Sequence, residues 1–112
     1  MGDQENRDAA AGASGGNERL VVQVGGEMDI ARAPMLLAAL CAAITQPGGP
    51  GEIAVDVAEL SFCDSSGLNA LLEARHLAHQ HGRRISLRSP QPQLLHLLEL
   101  TGTGLLFPVS KD

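Results

Sequence analysis

The sequence predicts an α/β domain: a small mixed, mostly parallel sheet of about four strands with about three to four helices. Three observations carry that expectation. Short runs rich in Val and Ile alternate with longer runs whose leucines recur at three- and four-residue steps, so the hydrophobic pattern switches between strand and helix periods. Gly and Pro mark the switches, at Gly25-Gly26, Pro47-Gly48-Gly49-Pro50-Gly51 and Thr101-Gly102-Thr103-Gly104. The length of 112 residues suits one domain with one modest core. Repeated strand–helix alternation calls for right-handed crossovers and hence largely parallel strands.

Residues 1–18 read as a disordered acidic tail, rich in Gly and Ala, with Asp3, Glu5, Asp8 and Glu18 against Arg7 and no apolar period. The folded domain is expected over 19–112. Leu20 to Val24 is almost continuously apolar and predicts a strand covered on both faces. Glu27-Met28-Asp29-Ile30 leads to Pro34, suited to a first helical position, and Leu36, Leu37, Leu40 and Ile44 form the inward stripe of a first helix. Ile53 to Val57 is a second strand.

The stretch from Ala58 carries Leu60 and Phe62 into a second helix from about Ser66 to His81, with Gly82 as its C-cap. Arg84 to Arg88 alternates polar and apolar residues, predicting a strand with one exposed face. Ser89-Pro90 reads as cap and first residue of a last helix through Leu94, Leu95, Leu97, Leu98 and Leu100, its leucines core and its Gln93 and Glu99 on a solvated face. Leu105 to Val109 predicts a short edge strand, because Pro108 cannot donate to a ladder.

The chemistry gathers at Cys63-Asp64-Ser65-Ser66-Gly67-Leu68, where an apolar segment becomes a helix. A helix start leaves N–H groups unpaired and carries partial positive charge, so an anion there is stabilised. From these residues alone two readings stand: Asp64 or Ser65 is simply an N-cap, or a serine carries a phosphate. In a parallel sheet, sites collect where strand carboxyl ends meet helix amino ends. Glu27-Met28-Asp29 follows the first strand and Asp64-Ser65-Ser66 the second, so Asp29 and Asp64 are expected to flank the serines on one rim.

Composition narrows the function. Phe62 and Phe107 are the only aromatics and the formal net charge is −5, which argues against base stacking and against phosphate-backbone binding, hence no nucleic-acid partner. No secretory signal or membrane-length apolar run is seen, and position 6 is Asn6 where a myristoylation motif wants Ser or Thr, so a cytoplasmic protein without membrane attachment is expected. Cys41 reads as core and Cys63 as a packing residue. His76, His79 and His81 suit a solvated helix end, with His96 elsewhere, and no metal site is expected. No phosphate-binding loop of Walker type occurs, and no cofactor is expected.

With these residues in hand, the chain resembles the STAS domain of bacterial anti-sigma factor antagonists. The likeness rests on Gly26-Glu27-Met28-Asp29, Val55-Asp56-Val57, Phe62-Cys63-Asp64-Ser65-Ser66-Gly67-Leu68 and the final leucine helix with its glycines, over about residues 20 to 109. The resemblance implies a non-enzymatic partner switch. Such proteins bind an anti-sigma factor that is also a serine kinase, and a phosphoserine phosphatase resets them. By position the phosphoacceptor is Ser66, and Asp64, Ser65, Gly67, Asp29 and Glu27 belong to the partner surface. One departure is visible: family members usually have another strand before the Gly-Glu-x-Asp segment, and here that stretch is Gly-rich and polar. An exposed sheet edge would then offer a route to a homodimer.

Two alternatives accompany this reading. One is a STAS protein of another assembly, such as a stress-signalling or lipid-transport complex. The other is a small phosphocarrier or hydrolase using Ser65 or Ser66 as nucleophile, which would need a neighbouring base and an oxyanion hole.

Overall fold

The computed structural model describes residues 19–111, and the expected acidic tail, residues 1–18, lies outside them. The β-branched runs form the sheet. Strand β1 (Arg19–Gln23) pairs in parallel with β3 (Glu52–Asp56), β3 with β5 (Arg84–Arg88), and β5 with β6 (Val109–Ser110), giving the spatial order β1-β3-β5-β6. The expected parallel sheet is therefore present. A second, two-stranded parallel ladder joins β2 (Gly26–Met28) to β4 (Leu60–Cys63).

Helix α1 (Ala33–Ile44) packs beside α2 (Ser65–Gln80), while α3 (Pro92–Thr101) lies against β4. The core is the predicted one: Leu36, Leu40 and Ile44 of α1, Leu68 and Leu71 of α2, Ile53 and Val55 of β3, Ile85 and Leu87 of β5, and Leu94 and Leu98 of α3 are all buried. Ala74 and Ala78 are fully buried, which lets α2 lie close to its neighbours.

Arg83 closes the far end of α1. Its guanidinium donates to the carbonyl oxygens of Ala43, Ile44 and Gln46, satisfying acceptors that a helix C-terminus leaves free. Gly82 sits just past α2 with φ of 69°, the left-handed conformation expected of a helix-ending glycine.

Several expectations need correction. β1 is not covered on both faces: Val21 is 38% exposed, because among the described residues β1 pairs only with β3 and stands at the sheet edge. Strand β5, by contrast, lies inside the sheet. Its Ser86 is buried, and its hydroxyl donates to Glu52 Oε2 at 2.7 Å, so polarity at that position did not mean exposure.

The last helix starts at Pro92 and not at Pro90, since Gln91, the residue before Pro92, is extended with φ of −76° and ψ of 162° and so cannot be helical. The Ser89 N–H donates to Ser110 O and its hydroxyl to Lys111 O. Leu95 and Leu100 of α3 are exposed, so only part of its leucine set is core. The final strand is two residues long, preceded by a 3-10 turn over Gly104–Leu106. Cys41 is half-buried, in a groove lined by Leu37, Leu72, His76 and Leu77, and is not a core residue.

Candidate functional site at the start of helix α2

The serine turn is held by the β2–β4 ladder, which the sequence pattern missed because β2 is only three residues long and contains Gly and Glu. Met28 pairs with Cys63, and the next N–H, that of Asp64, donates to Met28 O at 3.1 Å. The carboxyl ends of two parallel strands therefore lie side by side. One leads into Asp29 and the other into Asp64, Ser65 and Ser66, which brings the expected pair of segments onto a common rim.

Each aspartate is committed to a helix start. Asp64 is the N-cap of α2: its Oδ1 accepts the N–H of Ser66 at 2.9 Å and that of Gly67 at 3.2 Å. Asp29 Oδ1 accepts the N–H of Ala31 and Arg32 at 3.1 and 3.2 Å, shaping the turn into α1. Glu27 is exposed on β2, and its carbonyl accepts a 2.8 Å hydrogen bond from Arg32, whose guanidinium also reaches Gly25 O at 2.8 Å. Arg32 thus staples the β1–β2 loop, a role with no signal in the sequence because its partners are backbone atoms.

Ser65 is exposed and Ser66 half-buried, each in the first turn of α2. Gly67 is buried for a steric reason. A Cβ at this position would lie 2.7 Å from Cys63 Sγ and 2.7 Å from Met28 Cγ, so the absence of a side chain lets α2 start hard against the ladder. Cys63 is buried beneath it, as its packing role required. Burial, and secondarily the Asp64 carboxylate, push its thiol up to about 11, so it is protonated at neutral pH.

Gln93 overturns its expected place on a solvated face. It is half-buried and bonds twice to the main chain of one residue: its Oε1 accepts the Cys63 N–H at 2.8 Å and its Nε2 donates to Cys63 O at 2.9 Å, so it holds the peptide groups on both sides of Cys63. Ile30, next to Asp29, is 77% exposed, Phe62, next to Cys63, is 43% exposed, and Met35, in the first turn of α1, is 74% exposed. Such apolar exposure beside a polar turn suits a protein-binding surface. The helical pattern gave no reason to single out these three residues.

Comparison with known proteins follows from this geometry. The family model described as "Mlab, STAS domain" matches residues 11–107, beginning inside the stretch read as tail. No curated protein gives a significant match.

Among solved structures, the anti-sigma factor antagonist SpoIIAA in its unphosphorylated form superposes with a TM-score of 0.71 at 26% identity, covering 85% of this chain and 82% of that one. The Bacillus cell fate determinant SpoIIAA in its phosphorylated form gives 0.64 at 26% identity, covering 85% of each chain. A sulfate transporter family protein from Wolinella succinogenes gives 0.70 at 18% identity, covering 82% of this chain and 75% of that one, a likeness of fold. No helix among the described residues is long and apolar enough to cross a membrane. With a parallel sheet, a capped serine turn and a family match over most of its length, the chain belongs to the STAS domain family.

Proposed function

We propose that this chain is an anti-sigma factor antagonist that binds an anti-sigma factor/serine kinase, releases the sigma factor and is switched off by phosphorylation at Ser66. The observation that carries the reading is the Ser66 turn: a half-buried serine in the first turn of α2, beside the Asp64 cap and on the rim shared with Asp29. The likeness to SpoIIAA, known as an anti-sigma factor antagonist and with its phosphorylated and unphosphorylated forms both solved, supports it. Asp64, Ser65, Gly67, Asp29 and Glu27 belong to the partner surface in this reading, Gly67 through the close seating of the turn. Exposed Ile30, Met35 and Phe62 supply its apolar component.

The electrostatics favour a switch. Phosphate adds roughly −1.5 to −2 charge. The two amides best placed to receive it already serve Asp64 Oδ1, so the helix start offers less compensation than a free terminus would. The added charge stands next to the Asp64 carboxylate and faces any docked partner with repulsion and a desolvation cost. Turning a mostly bound into a mostly free population requires about 5.5 kcal/mol of differential affinity. ATP belongs to the kinase, a phosphoserine phosphatase resets the switch, and the protein acts in the cytoplasm without catalysing a reaction itself.

A second reading has a specific observation behind it. The matching family model is described as Mlab, a STAS domain, and not as an anti-sigma factor antagonist; the second reading is therefore a STAS subunit of another assembly, such as a stress-signalling or lipid-transport complex. One experiment separates the two. The chain and its Ser66→Ala and Ser65→Ala variants are incubated with purified anti-sigma kinases and ATP, and intact mass and complex formation are followed together. One added phosphate that is absent only from Ser66→Ala, with loss of the complex on modification, is the expected result. The absence of both binding to the kinases and phosphate transfer from them would favour the second reading.

A further inference from the structure

Among the described residues, strand β4 has a strand partner on one edge only, since its ladder contains two strands. Its other edge meets Gln91 and Gln93, at the start of α3, where Pro90 and Pro92 flank Gln91 and that residue is extended, with φ of −76° and ψ of 162°. Gln91 Nε2 donates to Ala58 O at 2.7 Å, ahead of β4. Gln93 engages both polar groups of Cys63 at the end of β4. A side-chain amide presents one acceptor and adjacent donors, so it offers Cys63 the pairing that a neighbouring strand would offer. Cys63 is 1% exposed, and buried peptide groups need such partners.

We infer that Gln93 is a positioning residue for the serine turn: by fixing the peptide groups on both sides of Cys63 it sets where Asp64 and Ser66 stand. The functional meaning of this role rests on reading Ser66 as the phosphoacceptor. The turn is gripped from both edges of β4, by Met28 O on the Asp64 N–H and by Gln93 on the peptide groups flanking Cys63. The Cys63–Asp64 peptide is held at both ends, its oxygen by Gln93 Nε2 and its N–H by Met28 O, and its nitrogen belongs to Asp64, the cap whose Oδ1 accepts the Ser66 N–H. Gln91 serves as the internal control, because it bonds to the same side of the fold but five residues before Cys63.

The test is native-state amide hydrogen exchange by NMR on the full chain and on Gln93→Ala, Gln93→Glu and Gln91→Ala, with urea unfolding measured alongside. In Gln93→Ala, protection at the amides of Cys63, Asp64, Ser66 and Gly67 should fall about tenfold further than the global stability change accounts for, while Val55 and Leu87 follow global stability. Gln93→Glu keeps the acceptor for the Cys63 N–H and should recover part of the protection. Gln91→Ala should leave Ser66 and Gly67 as in the wild type. A loss spread evenly over Val55 and Leu87, or none at Ser66 and Gly67, overturns the proposal.

A second arm measures phosphate transfer from ATP by anti-sigma kinases, read by intact mass. Gln93→Ala should slow it about tenfold while Gln91→Ala does not, as misplacement of a reacting group predicts; an unchanged rate overturns the proposal. If the exchange pattern holds and wild type accepts no phosphate, the acceptor reading of Ser66 falls and the positioning of the turn by Gln93 stands.

Discussion

Asp64 Oδ1 accepts the backbone N–H of Ser66 at 2.9 Å, so the residue beside the candidate phosphoacceptor already fills the anion position at the start of α2. Cap and phosphate therefore compete for the same amides and repel each other. In a terminus without that carboxylate, a phosphate would stabilise the helix.

Asp64→Ala should accordingly cost the unphosphorylated protein about 1 kcal/mol through loss of the cap. The same substitution should reverse the effect of phosphoserine at position 66, from neutral or destabilising in wild type to stabilising by about 0.5–1 kcal/mol. Urea midpoints for the four species form a double-mutant cycle. Strict additivity would show that cap and phosphate do not share the amides.

Gly67→Ala tests the close seating of α2. Helix propensity alone would favour Ala by about 1 kcal/mol. The new Cβ, however, would lie 2.7 Å from both Cys63 Sγ and Met28 Cγ, two groups buried in the core. Overpacking costs about 1–3 kcal/mol, so the net change should be destabilising, and proportionally less so when Met28→Ala is added to make room. A stabilised Gly67→Ala would mean that the ladder yields freely.

How far the sequence could be read depends on what holds each element. The strands around Ile53–Val57 and the stripe Leu36, Leu40, Ile44 are held by burial of apolar faces, which periodicity reports directly. A cap at Asp64 or Ser65 follows from local chemistry, whereas the need for Gly67 comes from its close approach to Cys63 Sγ and Met28 Cγ, which no local pattern reports. The β2–β4 ladder was missed because backbone pairing of Gly26–Met28 leaves no apolar signature, and the start of α3 was misplaced because Gln91, which bonds to Ala58 O some thirty residues back, is extended and not helical. Gln93, Gln91, Arg32 and Arg83 all act on distant carbonyl groups, and a residue whose partner is backbone looks in sequence like any solvated polar residue.

Arg83 makes that last class testable. It joins the C-terminus of α1 to the start of β5 by donating to three carbonyl groups, at the end of the helix where the dipole favours a cation. Arg83→Ala should destabilise the domain by about 1–3 kcal/mol, as expected for lost hydrogen bonds to a charged group. Arg83→Lys should recover only a fraction, since an ammonium lacks the planar fork. Equal stability of Lys and Arg at this position would show that charge alone suffices.

Cys63 gives the alkaline limit of stability. Its thiol is raised from 9.0 to about 11 by burial and by the neighbouring Asp64 carboxylate. Below pH 9 the folded and unfolded chains both hold this proton. As pH rises further, the unfolded thiol ionises first while the native one stays protonated, so unfolding gains a favourable deprotonation and stability falls until the native thiol also titrates near 11. Thermal midpoints measured from pH 8 upward, in a Cys41→Ser background to remove the second thiol, should decline more steeply with Cys63 present than in Cys63→Ala. Cys63→Ala should start from a lower midpoint, because a buried side chain has been trimmed, yet change less with pH. Parallel declines in the two proteins would show that the thiol ionises as readily in the native state as in the unfolded chain.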